Sequence, residues 1–174
     1  MHFIQLYKKD IFRYGGGNLF LHHFRFLAWF RLSQTTNNRI IKSLCKFRLK
    51  LFSEHYGLEI KPGTRIGPGL YLGHPFMITI NPNVTIGKNV NIHKGVTIGQ
   101  ENRGKRKGVP VIGNDVWIGV NATIVGNITI GDNVMIAPNS FVNIDIPSNS
   151  IVFGNPCIIK QNFHSTDGYI NNKV

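Results

Sequence analysis

The stretch VIGNDVWIGVNATIVGNITIGDNVMIAPNSFV, Val111–Val142, places an aliphatic residue at every sixth position: Ile112, Ile118, Ile124, Ile130, Ile136 and Val142. Four residues after most of these comes a second small or apolar side chain: Val116, Ala122, Ile128, Val134 and Ser140. A strict period of six matches neither the 3.6 of a helix nor the alternation of a simple hairpin sheet. It fits a three-sided column. Each side is a short strand with one aliphatic side chain turned inward, and the chain bends after it, where glycine accepts backbone angles that other residues resist. Successive coils then stack at the ordinary inter-strand spacing of about 4.8 Å, and the inward residues form ladders.

Working outward, the rhythm extends upstream. Ile60, Ile66 and Leu72 are in phase; the phase slips by two and resumes at Ile80, Ile86, Ile92 and Ile98, with Thr64, Leu70, Val84, Val90 and Val96 as the second set. Between Ile98 and Ile112 lie eight residues more than a hexad, with the basic run QENRGKRKG in the middle. An insertion that leaves the phase intact is a loop thrown from one corner of a rigid column, a common place for function. The internal repeat decides the fold class: mainly β, a parallel β-helix over 59–160 with a loop at 99–111. A short helical segment precedes it (1–58), and 161–174 reads as a poorly ordered tail.

The first 58 residues lack the repeat. Leu19–Leu32 is apolar and aromatic and predicts a helix. Asn38–Tyr56 has apolar residues at Ile40, Ile41, Leu44, Phe47, Leu51 and Phe52 with cations between, an amphipathic basic helix for which Thr36, Asn37 and Asn38 offer caps. Two roles fit these helices: capping the open end of the stack and building an oligomer contact, or lying on an anionic membrane.

The net charge of +12 suggests an anionic partner such as a phosphorylated cofactor, an acidic glycan or a membrane surface. Residues 1–54 hold ten of the Lys and Arg, with Asp10 and Glu54 as the acids. Nucleic acid is disfavoured, because the basic residues lack an interleaved aromatic platform. Cys45 and Cys157 lack a CxxC spacing and read as free thiols. With no signal peptide and no apolar run near ~18 residues, the expected location is cytoplasmic, with the inner face of a membrane open to the basic helix. The histidines show no ligand spacing for a metal.

The segments GLYLGHPFMITINPNVTIGKNVNIHKGVTIG (Gly69–Gly99), Val111–Val142 and GNPCIIK (Gly154–Lys160) resemble the hexapeptide-repeat acyltransferases. Within them the likeness is to the serine acetyltransferase branch, including the short polysaccharide O-acetyltransferases. The resemblance implies a left-handed coil, a homotrimer with active sites between neighbouring subunits, and acetyl-CoA as cosubstrate. It also implies that His74 is the general base for an acceptor hydroxyl, with Glu59 as the carboxylate that orients it where serine acetyltransferases carry Asp. His93, one coil above His74, is a candidate substrate contact or alternative base, and Lys94 and Asn81 are further candidates for the acceptor. By position, Gly99, Gly119, Val120 and Ala137 are expected along the pantetheine arm and Lys160 near the phosphates, with Arg103 and Lys105 as further phosphate candidates. Three positions depart from serine acetyltransferases: Gly73 stands where they have Asp, and Gly108 and Val109 where they have an Arg-His pair. Without a cation for the carboxylate, free serine would bind poorly. The favoured acceptor is therefore a sugar hydroxyl in surface polysaccharide, with serine as the alternative and a non-catalytic scaffold as a third reading. A carbonic anhydrase on the same coil would need three metal histidines, and the repeat supplies His74 and His93.

Overall fold

A computed structural model describes residues 2–16 and 20–174. Three helices come first: α1 (Phe3–Phe12), α2 (His22–Thr35) and α3 (Arg39–Tyr56). The coils follow, each giving one strand to each of three sheets. The first coil holds β1 (Leu58–Ile60), β2 (Arg65–Ile66) and β3 (Tyr71–Gly73). The second holds β4 (Ile78–Ile80), β5 (Thr85–Ile86) and β6 (Asn91–His93). The third holds β7 (Thr97–Gly99), β8 (Val111–Ile112) and β9 (Val116–Ile118), and the fourth β10 (Thr123–Val125), β11 (Thr129–Ile130) and β12 (Val134–Ile136). β13 (Phe141–Val142) and β14 (Ser150–Phe153) complete the top, and β15 (Ile158–Gln161) turns back.

The sheets run β1-β4-β7-β10-β13 (sheet A), β2-β5-β8-β11 (sheet B) and β3-β6-β9-β12-β14-β15 (sheet C). All pairings are parallel except β14 with β15. The six-residue rhythm maps onto three buried ladders: Ile60-Ile80-Ile98-Ile124-Val142 on sheet A, Ile66-Ile86-Ile112-Ile130 on sheet B, and Leu72-Ile92-Ile118-Ile136-Val152 on sheet C. Each residue is nearly or fully removed from water, so the core is one continuous apolar column.

The glycines after the ladder residues act differently from the expectation. Gly67, Gly87, Gly113 and Gly131 stack on the corner between sheets B and C without a positive φ. A Cβ at Gly67 would lie 2.7 Å from the Gly87 carbonyl carbon, and one at Gly87 would lie 2.5 Å from the Gly113 oxygen. Glycine is needed there for close coil-on-coil approach. The left-handed corner conformations fall to other glycines, such as Gly63, Gly69, Gly95 and Gly126, and to asparagine at Asn89, Asn121, Asn133, Asn139 and Asn149, where a short polar side chain tolerates that region.

The N-terminal helices close the lower end. A β-helix ends in unpaired backbone groups, and here side chains satisfy them. Arg31, fully buried on α2, grips the buried Asp10 of α1 through two bonds of 2.6 and 2.9 Å. Arg31 also donates to the carbonyls of Ile66 and Gly67, at 2.7 Å each. Asp10 accepts from the N–H groups of Gly69 and Leu70, Gln34 donates to the Thr64 carbonyl, and the Tyr14 hydroxyl bonds both the N–H and the carbonyl of Leu72. Helix α1 is absent from the sequence reading, and the helix expected over Leu19–Leu32 is α2, Leu19 lying outside the described residues. The amphipathic helix is α3, capped by Asn38, whose side-chain oxygen accepts from Ile40 and Ile41 N–H.

The tail corrects another expectation. Residues after Lys160 run back down sheet C, held by asparagines of the corner between sheets B and C and of β6. Asn133 bonds the Phe163 carbonyl and the Thr166 hydroxyl, Asn91 the Tyr169 carbonyl, and Asn89 both the N–H and the carbonyl of Val174. Ser165, Thr166 and Ile170 are buried. The segment looked loose because it is polar, yet its partners are polar too.

Candidate active site

His74 stands at the corner where sheet C turns into sheet A. In the next coil that corner runs from Ile92 to Val96; in the first coil it runs from Leu72 to Ile78, two residues longer. Those two residues are the phase slip read in the sequence. The widened corner puts His74 at φ 49°, in the left-handed region, with its side chain exposed. The Phe76 N–H bonds the His74 carbonyl at 2.8 Å, and Met77 N–H ties the corner to the end of α3 through the Tyr56 carbonyl at 2.9 Å. The rings of His22 and Tyr56, stacked at 4.4 Å, pack beside Phe76. The corner is therefore braced from outside by the helical cap.

His93 pairs with Gly73 in the sheet C register. Its imidazole lies over Gly73 so closely that any Cβ there would collide with the ring. Gly73 is thus explained by packing. Burial pushes the His93 imidazole below its usual pKa of 6.5, and the nearby His74 adds to that. Lys94 follows on the same corner as His74, one coil up. It donates its backbone N–H to the Gly73 carbonyl at 3.0 Å, and its side chain is exposed, without an ion pair among the described residues.

Glu59 points outward from β1 and pairs in register with Thr79. No hydrogen bond or ion pair joins it to His74 among the described residues; it lines a cavity against α3 together with Lys46, Lys50 and Lys61. Asn81 lies at the corner between sheets A and B, where its side-chain oxygen accepts from Asn83 N–H at 3.0 Å and closes a local turn.

The expected cofactor positions divide between two corners. Gly119, Val120 and Ala137 lie above His74 and Lys94 on the corner between sheets C and A. The N–H groups of Gly119 and Ala137 already donate to the next coil, at 2.8 Å each, so those two residues offer a pantetheine amide carbonyl lone pairs rather than donors. Gly99 ends β7 at the opposite edge of sheet A, where the basic loop begins. The loop folds on itself through an antiparallel bridge between Glu101 and Gly108 and an Arg106–Glu101 ion pair of 3.1 Å. Arg103 and Lys105 are exposed at its tip. Lys160, on β15 opposite Ile151, is exposed at the outer part of sheet C. One chain therefore holds its imidazole corner and its basic loop on opposite edges of the same sheet. Among the described residues no group of three or more His, Cys, Asp or Glu is placed to hold a metal ion, and no helix is long and apolar enough to cross a membrane.

A column of stacked three-sided coils, six residues to a side, with an imidazole at a widened corner is the left-handed β-helix of the hexapeptide-repeat acyltransferases, and residues 110–143 match the family described as bacterial transferase hexapeptide (six repeats). The chain is 34% identical over 128 residues to a serine acetyltransferase of Helicobacter pylori, covering 74% of this chain and 75% of that protein. The structure of Neisseria gonorrhoeae serine acetyltransferase in complex with serine superposes with a TM-score of 0.77 at 30% identity, over 91% of this chain and 69% of that one. A serine acetyltransferase in complex with CoA gives 0.77 at 27%, over 91% and 69%. The chain belongs to the serine acetyltransferase family. It spans under half the length of several other serine acetyltransferases that it matches.

These likenesses overturn the sugar acceptor. That expectation rested on the departures at Gly73, Gly108 and Val109, and the relatives act against it over most of the chain. Gly73 now has a packing cause, since the His93 ring fills the space a side chain there would need, and the cationic residue Lys94 has its backbone bonded to Gly73, the residue before His74.

Proposed function

We propose that the protein transfers an acetyl group from acetyl-CoA to the hydroxyl of L-serine, with His74 as general base. The observation that carries this reading is His74 itself, exposed on the widened corner of a chain whose relatives are serine acetyltransferases. The serine hydroxyl gives its proton to the imidazole as its oxygen attacks the thioester carbonyl. The tetrahedral intermediate collapses, the carbon–sulfur bond breaks, and the leaving thiolate takes the proton back from the imidazolium. Lys94 holds the serine carboxylate as a point charge. Glu59, on the strand paired with β4, turns toward His74 in the loaded site and steadies the imidazolium.

The two halves of the site lie on opposite edges of sheet A, which supports a homotrimer. Packing the sheet A edge of one copy against the next brings the His74 corner of one chain toward the loop of its neighbour, with Arg103 and Lys105 available to the CoA phosphates.

The test is a coupled thiol-release assay with acetyl-CoA and L-serine. His74→Ala is expected to lower kcat by on the order of 10²–10⁴, and Lys94→Ala to raise KM for serine with a smaller change in kcat. No turnover of L-serine by the intact protein, or wild-type turnover by His74→Ala, overturns the reading.

A further inference from the structure

The outer face of sheet C carries a cavity of about 310 Å³ that the acetyl-transfer chemistry does not use. Asn91, His93 and Trp117 form its floor; Arg13, at the end of α1, and Tyr71 and Tyr169 stand around it. Three observations about it are independent of one another.

The first is Arg13. It is 4% exposed and gives one Nη to the Asn91 side-chain oxygen, while its Nε and its other Nη are buried without a hydrogen-bond partner among the described residues. No carboxylate there stands within ion-pair distance: Asp10 is gripped by Arg31, and Asp115 is paired with Lys173 at 3.6 Å. A buried cation without an anion is costly, and orphaned buried donors in a folded protein call for an explanation. The second is His93, whose Nε2 is likewise buried and unpartnered. The third is the wall of rings. Trp117 lies 4.8 Å from His93 and 5.1 Å from Tyr169, centroid to centroid. Such rings offer broad apolar contact at low entropic cost, the usual lining of a small-molecule site.

We propose that this cavity binds a small organic monoanion, a carboxylate on a flat apolar body. Arg13 and His93 take the carboxylate, a shift of the side chains around them uncovering their buried nitrogens as it enters, and the body lies against Trp117 and Tyr169. One guanidinium balances one negative charge, so a carboxylate fits better than a phosphate monoester, which would leave a second charge unpaired. The proposal is separate from acetyl transfer at His74, and failure of the serine assay leaves it standing.

Trp29 and Trp117 are the two tryptophans of the chain, so Trp29→Phe makes Trp117 the sole reporter. Titration of the full-length Trp29→Phe protein with benzoate is expected to change Trp117 fluorescence saturably. Benzamide, of the same shape without the charge, should give no saturable change, and phenyl phosphate should bind more weakly than benzoate. Arg13→Gln in the same background should weaken benzoate binding about tenfold or more. Because Arg13 also bonds Asn91, His93→Gln serves as a second variant, with a smaller weakening in the same direction. No saturable response to benzoate up to roughly 20 mM, an equal response to benzamide, tighter binding of phenyl phosphate, or unchanged affinity in both variants overturns the proposal.

Discussion

The β-helix and its helical cap are held together by opposite means. In the column, each aliphatic residue repeats the contact made by the one below it, so Ile92, Ile118 and Ile136 are near-equivalent rungs. In the cap, one carboxylate and one guanidinium, twenty-one residues apart, hold each other and four backbone groups at the edge of the first coil, with Gln34 and Tyr14 holding others. Redundancy spreads stability over many small terms, as expected of a solenoid, whereas the cap concentrates it in groups with no duplicate.

Breaking the clamp is therefore the most damaging single change. Asp10→Ala leaves Arg31 buried and uncompensated and strands two N–H donors, and it is expected to cost about 3–5 kcal/mol. Urea denaturation followed by circular dichroism measures this. A loss below about 1 kcal/mol would mean that water replaces the carboxylate and that the cap is no more concentrated than the column.

The same contrast explains what the sequence made visible. A rhythm written through Ile60–Val142 tolerates a two-residue slip and an inserted loop and still declares a β-helix, because each rung repeats the message. Asp10 and Arg31 carry theirs once. Asp10 is one of the two acids among ten cations in residues 1–54, and an acid in a basic, aromatic segment is the one signal there for a buried pair. Within the candidate site, the motif singles out His74, and the slip beside it marks the widened corner on which it stands. The packing of His93 over Gly73 is not legible in the sequence, because it depends on cross-strand register, and this is why Gly73 reads there as a mark of a different acceptor. Asn81, a candidate for the acceptor, has its side-chain oxygen accepting from the N–H two residues on, a local contact that register does not announce.

Within the column, two substitutions sharpen the comparison at smaller scale. Gly87→Ala pushes a methyl into the Gly113 backbone of the next coil, which cannot move without unpairing the corner, and it should cost about 1–3 kcal/mol. Ile118→Val removes one methyl from one rung and should cost about 0.5–1.5 kcal/mol, measured by the same denaturation. A larger loss at Ile118 than at Asp10 would invert the account of where stability is concentrated.

The smallest effect lies along the seam where the two regions meet and is absent at neutral pH. His22 and His23 belong to the cap and His93 to the face of the column, and burial is the main cause holding all three below the usual imidazole pKa of 6.5. The Arg25 charge adds to this at His22, His22 adds to it at His23, and His74 at His93, while a bond to the Pro75 carbonyl works the other way at His22. The unfolded chain takes up protons as the pH falls through about 6.5, while the folded chain resists until lower pH. Stability from these groups is therefore complete above 6.5 and declines on acidification. Thermal unfolding between pH 7.5 and 5.5 should show Tm falling with pH. His93→Gln should flatten that slope in part, since the variant removes one of the three proton-binding sites from both states. An unchanged slope in His93→Gln would place the acid sensitivity wholly in the cap, and the seam would then be the cap's own property rather than one shared with the column.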